Sequence, residues 1–99
     1  MRLSEADRHL IKRFVAERVG VGATVRLFGS RTEESLRGGD IDLFVEIDHP
    51  VESRLALECS LAALLERALD GRRVDVVVAA PNVATRPIDE IARRTGILL

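Results

Sequence analysis

Three phenylalanines are the chain's entire aromatic content, and tryptophan and tyrosine are absent. With leucine, valine, isoleucine and alanine dominant, any core must be aliphatic. One cysteine, Cys59, can form neither an internal disulfide nor a cysteine cluster for zinc, and it reads as a small apolar residue within a helix. Neither sign of charge is in excess: 15 basic residues face 16 acidic ones, for a net charge of −1. That balance supplies no general attraction to nucleic acid or to an anionic membrane, so neither is expected as a direct partner. No apolar run approaches the roughly 18 residues of a membrane span. The opening residues are charged and lack the apolar stretch of a secretory leader. A cytoplasmic protein is therefore expected. Repeats, low-complexity segments and internal linkers are also missing, and 99 residues suit a single domain over 1–99.

What is present is an alternation of helical and strand patterns. Ser4 followed by Asp7 approximates a capping box, and Leu10, Ile11, Phe14 and Val15 then recur at helical spacing. A helix is expected over residues 4–18, ended by Gly20-Val21-Gly22. Residues 24–28 are rich in strand formers. Residues 30–39 are polar, can hold a short helix, and are broken by Gly38-Gly39. A second strand over 41–47 would place Ile41, Leu43, Val45 and Ile47 on one face and Asp40, Asp42, Phe44 and Glu46 on the other. An apolar stripe of Leu57, Leu61, Leu64, Leu65 and Ala68 predicts a helix over 52–69. Residues 73–80 read as a third strand, so apolar that cover on both faces is expected. A last helix over 88–94 precedes the apolar tail Ile97-Leu98-Leu99, which must pack on something or serve as an interface in a homodimer or hetero-oligomer. This order predicts an α/β (α+β) domain with three strands and about four helices.

The chemistry concentrates in two places. A short apolar run ends in Gly29-Ser30-Arg31, and with nine residues between them Ser30 is followed by Asp40-Ile41-Asp42 at the head of the second strand. Alternate strand residues share a face, so Asp40 and Asp42 point the same way. Neighbouring carboxylates repel unless a cation lies between them, and a hard divalent ion is the natural one. A Gly-Ser turn offers backbone N–H groups and a hydroxyl suited to phosphate. Asp75 stands inside the β-branched run of strand three. Such a charge needs an ion pair with Arg72 or Arg73, a solvated strand end, or a metal. Taken singly, Asp40 also suits a turn and Ser30 a helix cap. Glu46 reads as a solvated strand end, and His9 and His49 as surface residues.

Gly29-Ser30, nine residues, Asp40-x-Asp42 and a later strand carboxylate at Asp75 together resemble the DNA polymerase beta-like nucleotidyltransferase superfamily, and at this length its minimal nucleotidyltransferases. The resemblance covers nearly the whole chain. It implies the nucleotidyltransferase fold, with a three-stranded mixed sheet. It further implies that Asp40, Asp42 and Asp75 hold two Mg²⁺ ions and are the catalytic residues, and that Gly29, Ser30 and Arg31 contact the phosphates of a nucleotide, ATP by analogy. Two departures stand out. The family commonly spaces its motifs by about ten residues rather than nine. Its minimal members often continue Gly-Ser-Arg with Ala-Arg-Gly, where this chain has Thr32-Glu33-Glu34.

No residue pattern here reads a base, and the chain leaves little room for an acceptor-binding domain of its own. Minimal members are commonly paired with a helical HEPN protein, so the resemblance implies transfer of AMP to a tyrosine of a HEPN-type toxin, with this chain as the antitoxin. Two alternatives accompany it. The chain could be the catalytic partner of a helical subunit that binds a small-molecule acceptor. It could also be a non-catalytic nucleotide-binding module that neutralises its partner by covering it.

Overall fold

The computed structural model describes residues 3–29 and 40–99. Along these the order is α1 (Glu5–Val19), β1 (Thr24–Phe28), β2 (Ile41–Glu46), α2 (Arg54–Ala68), β3 (Val74–Ala79), α3 (Pro87–Thr95) and β4 (Ile97–Leu98). The short helix expected within 30–39, together with Ser30 and Arg31, lies outside the described residues.

The sheet has four strands in the order β3-β2-β1-β4. β2 runs antiparallel to β1 and parallel to β3, and β4 is antiparallel to β1. The sheet is thus mixed, as the family resemblance implied, but it has four strands where three were expected. The apolar tail is the reason. Ile97 and Leu98 pair with Leu27 and Arg26, and the Leu99 N–H donates to the Val25 carbonyl at 2.9 Å. The tail therefore closes the sheet, with Leu99 against the core, while Ile97 and Leu98 stay exposed. The described residues hold three helices, against about four expected.

Two layers form on the two faces of the sheet. Ile41, Leu43, Val45, Val74, Val76 and Val78 point to one face, where they meet Ile11 and Val15 of α1 and Leu61 and Leu65 of α2. These aliphatic side chains are the core; the alternation was legible from sequence for β2, whereas β3 was expected to be covered on both faces. The opposite face carries Arg26 and Phe28 of β1, Asp42, Phe44 and Glu46 of β2, and Asp75, Val77 and Ala79 of β3, aligned by register. α3 crosses this face. It buries Phe44 completely and sets the Arg93 guanidinium 5.4 Å from the Phe44 ring centre. Glu46 is not a solvated strand end, because Arg26 and Arg93 hold its two oxygens at 2.7 and 2.9 Å.

Each helix start has a local cause. The Ser4 hydroxyl accepts from the Asp7 N–H at 3.0 Å, and the Ser53 hydroxyl accepts from the Ala56 N–H at 3.1 Å. Pro87 opens α3, where the Asp89 carboxylate reaches back to the Arg86 N–H at 2.9 Å. Cys59 sits on α2 but is exposed rather than packed among apolar groups.

β3 is an edge strand, and α2 shields its outer rim. Glu66 accepts from the Val74 N–H at 3.1 Å and Glu58 from the Val78 N–H at 2.8 Å. Satisfied donors make an edge a poor template for another chain. Arg86 completes this end by donating to Glu58 at 3.0 Å and to the Val78 carbonyl at 3.1 Å. Burial works against the Arg86 charge, but Glu58 and Asp89 more than offset it, and its pKa lies above the ordinary arginine value. The cluster ties α2, β3 and α3 together, and so fixes α3 on the sheet.

Candidate active site

Strand register assembles the site. Asp42 of β2 and Asp75 of β3 are direct partners across the parallel pair, and Phe28 of β1 is Asp42's partner on the other side. Adjacent strands lie about 4.8 Å apart. Two carboxylates at about 5 Å repel by roughly 3 kcal/mol at an effective dielectric of 20. A fold that keeps them side by side needs positive charge nearby. Asp40 precedes β2 by one residue, is exposed, and by alternation belongs to the same side. The three sequence-selected carboxylates are therefore on one end of one sheet face, beyond the part that α3 covers with Phe44 and Glu46.

The structure changes the setting of Asp75. Cover on both faces of its strand was expected, yet burial along β3 alternates, and the Asp75 side chain is 52% exposed. The cause is topological: Asp75 sits on an edge strand at the end of the face that α3 leaves uncovered, while Val77 and Ala79 farther along are partly buried. Asp75 lies 3.8 Å from the Arg73 guanidinium, one of the two ion pairs considered from sequence. Arg72 turns instead to Asp7 at 3.0 Å. Among the described residues, no three histidine, cysteine, aspartate or glutamate side chains are yet gathered as a metal cluster.

Gly29 links the turn to the carboxylates. Its φ is +87°, in the region that favours glycine, and a Cβ placed there would stand 2.5 Å from an Asp42 oxygen. The turn after β1 thus lies directly against Asp42. Gly29→Ala is expected to cost about 1–3 kcal/mol in stability, since it combines backbone strain with a collision. Thermal unfolding measures the first effect. A weakened affinity for divalent cation measures the displacement of Asp42.

A shallow groove of about 530 Å³ opens beside Asp75, lined by Cys59, Ala62, Glu66, Arg73 and Val74 among others. Sequence reasoning named Arg73 as a possible partner of Asp75, which a residue two earlier on the same strand face can be. It missed the Arg26–Glu46–Arg93 group beneath α3.

The donors present suit a hard divalent cation. Carboxylate oxygens are its preferred ligands, Asp42 and Asp75 are adjacent, and glycine at position 29 puts no side chain against Asp42.

A mixed sheet with helices on both faces, carrying an acidic row at the head of its parallel pair, has the architecture of a nucleotidyl-transfer domain. The chain belongs to the nucleotidyltransferase domain family, whose pattern matches residues 9–97, and it is accordingly a transferase. Its fold is similar to that of a chain in the crystal structure of the toxin–antitoxin MntA-HepT, with a TM-score of 0.66 and 20% identity over 96% of this chain and 70% of that one. No curated protein matches it.

Proposed function

We propose that this protein is a Mg²⁺-dependent adenylyltransferase that moves AMP from ATP to a tyrosine of a helical HEPN-type toxin, and so acts as that toxin's antitoxin. The observation that carries the reading is the adjacency of Asp42 and Asp75 with Gly29 packed against Asp42, in a chain of the nucleotidyltransferase family. The partner class is supported by the similarity in fold to a chain of a toxin–antitoxin structure.

Asp40, Asp42 and Asp75 would hold the magnesium ions. Bound magnesium supplies charge neutralisation on the triphosphate and a lowered pKa at the acceptor oxygen. The chain's own part is positioning. The turn at Gly29 brings backbone close to the phosphates, with Ser30 and Arg31 as further phosphate contacts. Asp75, open to solvent, orients the acceptor hydroxyl. The acceptor oxygen bonds to the α-phosphorus, the bond from that phosphorus to the β-phosphate's bridging oxygen breaks, pyrophosphate leaves, and the hydroxyl proton passes to a base at the site.

The chain contains no tyrosine. A tyrosyl-AMP product must therefore lie on another protein, which makes the test direct. The purified chain is incubated with α-labelled ATP, Mg²⁺ and source-cell lysate, beside an Asp40→Asn/Asp42→Asn double variant. A labelled tyrosine-bearing protein that vanishes with the variant is the expected result. Label confined to small molecules would move the assignment to a small-molecule acceptor. ATP binding without any label would move it to a neutralising module.

A further inference from the structure

We infer that Arg73 is a resident counterion of Asp75 and competes there with the divalent cation; the inference rests on the metal-site reading above. The Ile41 N–H donates to the Arg73 carbonyl at 2.9 Å, which pins Arg73 beside the start of β2. The parallel register pairs Ile41 with Val74 and Asp42 with Asp75. One step back along the same register, Arg73 lies next to Asp40. Two steps separate Arg73 from Asp75 on one strand, so both side chains rise from the same face. Arg73 is therefore framed by two of the three candidate ligands, and its Nε lies 3.8 Å from Asp75 Oδ1.

Three other arginines among the described residues are committed elsewhere. Arg72 pairs with Asp7, while Arg26 and Arg93 pair with Glu46. The Arg73 and Asp75 side chains are 67% and 52% exposed. An ion pair so open to water is weak and exchanges readily. It nevertheless relieves part of the repulsion between Asp42 and Asp75 when no other cation is present. A guanidinium and a divalent ion drawn to one carboxylate repel each other. Cation binding then weakens the Arg73–Asp75 pair, and the pair raises the concentration at which the site fills.

The test uses Mn²⁺ as the probe, followed by the loss of its free paramagnetic signal. The full chain, Arg73→Gln, Arg73→Lys and Asp42→Asn are compared, each with and without a non-hydrolysable ATP analogue. Arg73→Gln is expected to bind Mn²⁺ about three- to tenfold more tightly than the natural chain at low ionic strength, with the difference shrinking in high salt as screening weakens the Arg73 charge. Arg73→Lys is expected to stay close to the natural chain, and Asp42→Asn to lose binding. Equal or weaker binding by Arg73→Gln, while the natural chain binds, would overturn the counterion role alone. No Mn²⁺ binding by any form, with or without the analogue, would overturn the metal-site reading beneath it.

Discussion

Asp42→Asn is expected to abolish nucleotidyl transfer, by on the order of a thousandfold or more, while the fold stays intact. Three neighbours make this the most sensitive position of the site. Asp75 stands beside it on β3, Phe28 beside it on β1, and Gly29 packs directly against its carboxylate. Asparagine fills the same volume and hydrogen-bonds, so packing changes little. The lost negative charge removes the electrostatic reason for a cation to settle there, and preorganised charge at a reacting phosphate is commonly the largest single contribution to such catalysis. Relief of the Asp42–Asp75 repulsion, about 3 kcal/mol before screening, should leave the variant as stable as the natural chain or slightly more so. Steady-state transfer and thermal unfolding, measured on one preparation, check both halves. Asp75→Asn separates the roles further. If Asp75 orients the acceptor, that variant keeps ATP binding and loses turnover. Transfer by Asp42→Asn at the natural rate would rule out the carboxylate assignment.

Much of this arrangement was legible in the sequence, for reasons that differ between elements. β1 matches its expected residues because Thr24–Phe28 combines strand formers with glycines on either side. β2 follows from strict alternation, which fixed its core-facing side chains and placed Asp42 on the opposite face. The adjacency of Asp42 and Asp75 could be anticipated only as a shared sheet, since register across a long α2 crossover is a tertiary property. β4 was not legible. Two residues carry too little pattern to read as a strand, and Ile97–Leu98 becomes one only by pairing with Arg26 and Leu27. The Arg86–Glu58–Asp89 group around the buried Asp89 was invisible for a similar reason: Arg86 and Glu58 are 28 residues apart, and nothing local distinguishes them from solvated surface charges. Asp75 was expected in a strand with both faces covered, because composition reports apolarity and not whether a strand lies at the edge.

Phe44→Ala is expected to be the most destabilising single change considered, at about 3–5 kcal/mol, the usual cost of deleting a buried aromatic side chain. Alternation along β2 puts Phe44 between Asp42 and Glu46, on what reads from sequence as the polar face. The structure makes it fully buried, yet separate from the aliphatic cluster on the sheet's other side. It is the apolar contact that seats α3, with Arg93 stacked over its ring and bonded to Glu46 beyond it. Removing the ring leaves a void that Val77, its smaller register partner on β3, cannot fill, and it strands the Arg93 guanidinium above empty space. A domain of this size has about 5–15 kcal/mol of stability in total, so the loss should lower the melting temperature by on the order of 15–30 °C. Phe44→Leu keeps most of the volume and should cost no more than about 1.5 kcal/mol. The two variants also test how far the acidic row depends on α3. Asp42 lies two residues from Phe44 on the same strand face, so a loosened α3 should weaken divalent-cation binding in Phe44→Ala at temperatures where that variant is still folded. Unchanged cation affinity in folded Phe44→Ala would mean that the strands alone hold Asp42 and Asp75 in place, and that α3 serves only stability.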